Sequence, residues 1–149
     1  MFYRRQVLGL LAAAPFARPA AAYVRTEVFL FDGLALRGYD PVGYFTENRP
    51  VEGTPDHSLM WRGAEWRFAS AESMESFEMH PEAYAPQYGG YCAYALSLGK
   101  IAPTAPEAWT IFEDRLYMNF STEVRTIWSE DIPGNIAKAD AHWPQALDS

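Results

Sequence analysis

Cys92 is the only cysteine in the chain, and it lies in the stretch YGGYCAYA between Tyr91 and Ala93, behind Gly89 and Gly90. A lone thiol cannot close an internal disulfide, which leaves four states: buried, metal-bound, paired with another molecule, or reactive. Thiolate chemistry needs a lowered pKa, yet no lysine or arginine stands within seven residues of Cys92, so any activation must come through the fold. The two glycines allow the backbone to approach closely and to aim amide hydrogens at a thiolate. Tyr88, Gly89, Gly90, Tyr91 and Asp40 are the candidate ligand-binding residues around it, with Tyr39, Tyr44 and Tyr94 as further pocket walls.

A metal site would pair Cys92 with histidine. The three histidines are His57, His80 and His142, and Met74, Met79 and Met118 add soft sulfur. Cys92 with His80 and His57 would suit copper by ligand softness, although no His-x-x-His or Cys-x-x-Cys spacing supports that set. The competing expectation for Cys92 is plain packing, since free cysteine is among the most buried residue types. A redox expectation, with Cys92 cycling through sulfenic acid or a mixed disulfide, stands beside both. The chain has no nucleophile elbow, no phosphate-cradling glycine loop and no zinc-hydrolase helix motif. A binding protein is therefore the expectation ahead of an enzyme.

The elements that must hold these residues follow from pattern. Val28–Phe31 reads as a short strand, Gly38-Tyr39-Asp40-Pro41 as a turn, and Val42–Phe45 as a second extended piece. SLMW and WRFA alternate Leu59, Trp61, Trp66 and Phe68 as a hairpin around Arg62-Gly63-Ala64-Glu65. Ser70 N-caps a helix through Met74 and Phe77, which His80-Pro81 ends, with a short further turn to Tyr84. Residues 91–96 alternate and predict an extended segment. WTIF and RLYMNF form a second hairpin around Glu113-Asp114; Ser121 and Thr122 cap a helix facing inward through Val124, Ile127 and Trp128. A last helix runs from Asp131 or Pro133 to His142. The fold class is α+β: two β-hairpins, each followed by helix, sharing one core.

The chain has 149 residues, 49% of them apolar, which is room for one domain. Residues 1–22 read instead as an export signal: Arg4 and Arg5, an apolar run from Val7 to Ala14, and Ala20-Ala21-Ala22 before Tyr23. That run is far short of the roughly 20 apolar residues of a membrane span. Arg4-Arg5 followed by Gln6-Val7-Leu8 fits the twin-arginine type, with Tyr3 where Ser or Thr is preferred. The expected product is residues 23–149, exported, and periplasmic in a Gram-negative bacterium. Loss of Arg4, Arg5 and Arg18 leaves nine basic against 19 acidic residues, a charge of −10. Such a surface repels phosphate backbones and argues against nucleic acid as a partner.

The segments YDPVGYF, WRGAEWRFASAESMESFEMHPEAYAPQYGGYCAYAL, PEAWTIFEDRLYMNF and WSEDIPGNIAKADAHWP resemble the YHS domain family, in its exported single-domain branch of YHS domain-containing (seleno)proteins. The likeness spans most of residues 35–144. It implies a small α+β fold related to treble-clef modules. In metal-binding members three cysteines hold the metal; the matching positions here are Gly43, Ala69 and Ser73, so that site is not carried over. The selenocysteine of some relatives at the position of Cys92 implies redox or metal chemistry there. The expected function is thus an exported YHS-type domain binding copper or a thiol-reactive ligand through Cys92. The alternatives are a thiol redox protein, or an interaction module for an envelope protein with Cys92 as packing.

Overall fold

A computed structural model describes residues 25–148. The export signal expected at residues 1–22 lies outside the described residues. Among those described, no helix is long and apolar enough to cross a membrane. The fold is α+β, built from two small sheets and short helices.

The first sheet has four strands. β1 (Leu30–Phe31) and β2 (Leu34–Ala35) form a minimal antiparallel pair, shorter than the strand expected at Val28–Phe31. β3 (Thr54–Trp61) and β4 (Ala64–Phe68) form the long hairpin, and β2 joins β4 in parallel through Leu34 and Glu65. The strand order is β1-β2-β4-β3. Along β4, Ala64, Trp66 and Phe68 are buried while Glu65 and Arg67 are not, the period-two pattern of a strand with one covered face. The hairpin turn is only Arg62-Gly63; Ala64 and Glu65 already belong to β4.

Two expected extended segments are helical. Val42–Phe45 lies in α1 (Pro41–Thr46), because Asp40 accepts the Val42 amide as N-cap and Pro41 presets the first helical turn. Residues 91–96 enter α4 (Ala93–Ser97), reached after α2 (Ala71–Met79), α3 (Pro81–Tyr84) and a 3-10 turn at Gln87–Gly90. Ala93, Leu96 and Ser97 are the buried residues of α4, at helical spacing. The alternation of Tyr91 to Leu96 reflects alanine between tyrosines, and alanine's helical preference prevails. Ser70 does cap α2, accepting the Ser73 amide at 3.1 Å, and His80-Pro81 separates α2 from α3.

The second sheet is the hairpin β5 (Trp109–Phe112) and β6 (Arg115–Met118), turned at Glu113-Asp114. Ser121 caps α5 (Thr122–Trp128) and Asp131 caps α6 (Ile132–His142). Trp128 is buried as expected, but Ile127 is 45% exposed, and Trp128 is the one fully buried residue of α5.

Two apolar clusters form the interior. One gathers Val42, Tyr44, Trp66, Phe68 and Phe77; the other gathers Tyr88, Tyr91, Leu96, Trp128 and Ala139. β6 stands between them, giving Leu116 and Met118 to the first and Tyr117 to the second, as alternate residues of a strand must.

Candidate functional site

Cys92 is 1% exposed and serves as the N-cap of α4. Its Sγ accepts the Ala95 amide at 3.5 Å and donates to Asn119 Oδ1 at 3.4 Å. Asn119 Oδ1 also accepts the Tyr94 amide at 3.0 Å. That N–H requires an oxygen opposite it, so the sulfur sharing the oxygen must bring a proton, and the geometry selects the neutral thiol. Burial pushes the thiol pKa up, although the amides of Ala95, Phe120 and Tyr94 pull the other way. The backbone is tied as well: the Cys92 amide donates to Ala102, and Cys92 bridges Met118 of β6. Both capacities of the sulfur are spent on holding chain segments together.

Neither polar contact of the Cys92 sulfur is to a histidine, methionine or carboxylate. Among the described residues, no group of three or more His, Cys, Asp or Glu could hold a metal ion. His57 is half-buried on β3, His80 is exposed between α2 and α3, and His142 ends α6 beside Gly99. Met79 is exposed, and Met74 and Met118 pack in the first cluster.

Asp40 is a second sealed junction. It is 1% exposed; Oδ1 accepts the Val42 amide at 2.9 Å, while Oδ2 accepts the Ala69 amide at 2.9 Å and the Ser73 hydroxyl at 2.7 Å. A Cβ built on Gly43 would lie 3.9 Å from that of Asp40 and only 2.9 Å from Val51. Ala69 and Ser73, about thirty positions further along the chain, thus meet on the Asp40 carboxylate, while Gly43 lies in the first turn of the helix that Asp40 caps. The carboxylate binds α1, β4 and α2 to each other and faces no cleft.

The open space lies elsewhere. A cleft of about 760 Å³ runs between the two hairpin turns, with Tyr88 and Gly89 in its wall. Tyr88, Gly89 and Gly90 carry φ of 57°, 64° and 88° in succession, all left-handed. Only glycine fits the middle position: an added Cβ there would overlap the carbonyl oxygen of Glu27. Gly89 in turn accepts the Phe29 amide at 2.9 Å, fastening the loop beneath the start of the described chain. Gly90 accepts the Thr104 hydroxyl at 2.7 Å, and Tyr91 donates to Thr26, so neither reaches into the cleft wall.

Tyr88 donates its hydroxyl to Asp140 Oδ1 at 2.8 Å. Its pKa is pushed well above the ordinary tyrosine value by burial, and further by the Asp140 carboxylate that the phenol already serves. Trp143 crosses Tyr88 edge-on with centroids 6.0 Å apart, and Trp61 and Trp66 complete the aromatic wall. At one end Arg62 lies 4.4 Å over the Trp61 ring and pairs with Glu82 at 2.9 Å and Glu27 at 3.7 Å. At the other, Glu113, Asp114 and Arg115 of the second hairpin face Asp140 of α6. His80 borders a smaller depression beyond Arg62, sharing Trp61 and Glu82 with the cleft.

Of the residues expected to form a site, the fold brings Tyr88 and Gly89 to the cleft and His80 to its neighbour; Asp40, His57 and Cys92 are not in its wall. Tyr44 is likewise internal, donating to Pro106 at 2.9 Å. Sequence reasoning passed over Arg62, Arg115, Asp140 and Trp143. A usable signal existed in the turns: φ is positive at Arg62-Gly63 and Glu113-Asp114, positions where a tight hairpin ordinarily takes Asn or Gly. No family model matches the chain, and neither does any curated protein or solved structure.

Proposed function

We propose that the chain is an exported YHS-type binding domain whose small ligand enters the cleft between the hairpin turns, with Tyr88 and Asp140 as its fixed polar pair. One observation carries this reading. Arg62, Tyr88, Glu113 and Asp114 make up half of the eight non-glycine residues with positive φ among the described residues, and all four line this cleft. The two hairpin turns require positive φ, and filling them with Arg62 and Glu113 in place of Asn or Gly costs free energy that a role for those side chains would offset. The bonds from Ala69 and Ser73 to Asp40, three residues before Gly43, support the YHS likeness, because they bring the segments that carry metal thiolates in relatives next to each other.

In this reading Cys92 caps α4, and both polar contacts of its sulfur are made within the protein. The test is mapping of a fragment library on the amide spectrum of the wild type and Cys92→Ser, beside titrations with copper(I) and zinc. Shifts should gather at Tyr88, Gly89 and Trp143 in both proteins. A response centred on Cys92, or one abolished in Cys92→Ser while the fold is retained, would overturn the assignment.

A further inference from the structure

Resting on the cleft reading, the geometry points to a ligand class: an organic cation with a flat apolar portion, its ammonium or guanidinium seated at the Asp140 end. The cleft already shows this recognition on one of its own side chains. At the Trp61 end an aromatic face and two carboxylates, Glu27 and Glu82, hold the guanidinium of Arg62. That is how aromatic–carboxylate sites hold cations generally.

The opposite end has aromatic rings and three carboxylates but only one guanidinium, that of Arg115. Five carboxylates line the whole cleft against two guanidiniums, an excess of three. Arg62 is taken up by Glu27 and Glu82, so most of the excess falls at Glu113, Asp114 and Asp140, which only Arg115 offsets. Tyr88 and Trp143 stand beside Asp140 with their rings 6.0 Å apart, giving the apolar part of a ligand a surface adjoining the charge. Tyr88 cannot donate to an anion, because its only proton is committed to Asp140 Oδ1. The remaining lone pairs of Asp140 are acceptors, complementary to an N–H donor. The formal charge of −7 on the whole chain draws cations toward the protein and repels anions.

The experiment titrates the protein with phenethylamine, 2-phenylethanol and 3-phenylpropionate, matched in ring and chain but cationic, neutral and anionic. The readout is the Gly89 amide and the Trp143 indole signal. Phenethylamine should saturate these shifts, weaken as salt is raised, and bind about tenfold less tightly to Asp140→Asn, which keeps an oxygen for Tyr88. Glu113→Gln, in an exposed turn, gives the same direction of change if Asp140→Asn fails to fold. If the alcohol or the acid shifts the signals as strongly as the amine, the cleft stands as a binding site and the cation assignment is overturned. If none of the three moves them, the assignment and the cleft reading fall together.

Discussion

Replacing Cys92 separates a structural thiol from a reactive one. In Cys92→Ala, α4 loses its cap, a change worth about 1 kcal/mol. The space left by the sulfur adds about 1 kcal/mol, as for one buried methylene-sized group. Asn119 Oδ1 keeps the Tyr94 amide and is not orphaned, so the lost S–H contact adds little. The sum is about 2 kcal/mol, or roughly 8 °C in Tm at this chain length. Cys92→Ser keeps a donor and an acceptor at the same place and should cost less than about 1 kcal/mol. Urea melts of the three proteins give the ranking, and alkylation gives the independent check. A thiol reached only through unfolding should react with iodoacetamide at least about a thousandfold more slowly in buffer than in urea. Equal stability of the Ala and Ser variants would refute the capping argument. Alkylation of the folded protein at the rate of a free thiol would refute the burial argument and restore the redox reading.

Gly89→Ala should cost about 3 kcal/mol, from the left-handed φ and the overlap with the Glu27 carbonyl, whereas Gly63→Ala, with a similar φ and open space around it, should cost only about 1 kcal/mol; chemical denaturation compares them. Asp40→Ala strips three donors from a sealed carboxylate and should cost about 4 kcal/mol by the same assay, with Asp40→Asn intermediate. Gly43→Ala meets both Cβ and Cγ2 of Val51 at 2.9 Å, so Val51→Gly, which removes both atoms, should relieve the clash where Val51→Ala, which keeps the Cβ, should not, a coupling that double-mutant cycles measure. Alkali should destabilise the fold. Cys92, Tyr44 and Tyr88 all have raised folded pKa values, so the unfolded chain ionises first. Their contribution is complete below about pH 8.5 for the thiol and about pH 10 for the phenols, and is lost above those values. Melts between pH 7 and pH 11 should show stability falling, and Cys92→Ser should remove the earlier part of the fall.

Local signals carried much of the fold. Ser70, Ser121 and Asp131 each cap the helix that their residue types predict, and the second hairpin turns at Glu113-Asp114 as its alternation implies, whereas the first pairs Trp61 with Ala64 and Leu59 with Trp66, a register two residues tighter than the expected four-residue turn. The failures came where two signals compete in few residues. Asp40-Pro41 is turn chemistry and also a good start for a helix, and in the fold Asp40 caps that helix while also bonding Ala69 and Ser73, about thirty positions away. In YGGYCAYA, alternation is read through tyrosine and alanine, and the left-handed turn at Tyr88–Gly90 resets the frame. The candidate site was legible at Tyr88 and Gly89 alone. Its charged residues come from the segment before β1, α3, the two hairpin turns and α6, each brought in by tertiary packing, and no spacing along the chain could have joined Arg62 to Asp140.

β6 is a party wall. Each side of it carries the load of a different interior, so removing the strand leaves neither half with a closed core. A proteolytic cut in the chain on either side of it should release no folded fragment, although two sheets and two apolar clusters suggest two lobes. Because a four-residue strand faces both ways, the described residues should unfold as one cooperative unit. A ligand that stiffens the turn at Glu113-Asp114, where this strand begins, would be felt by both interiors at once.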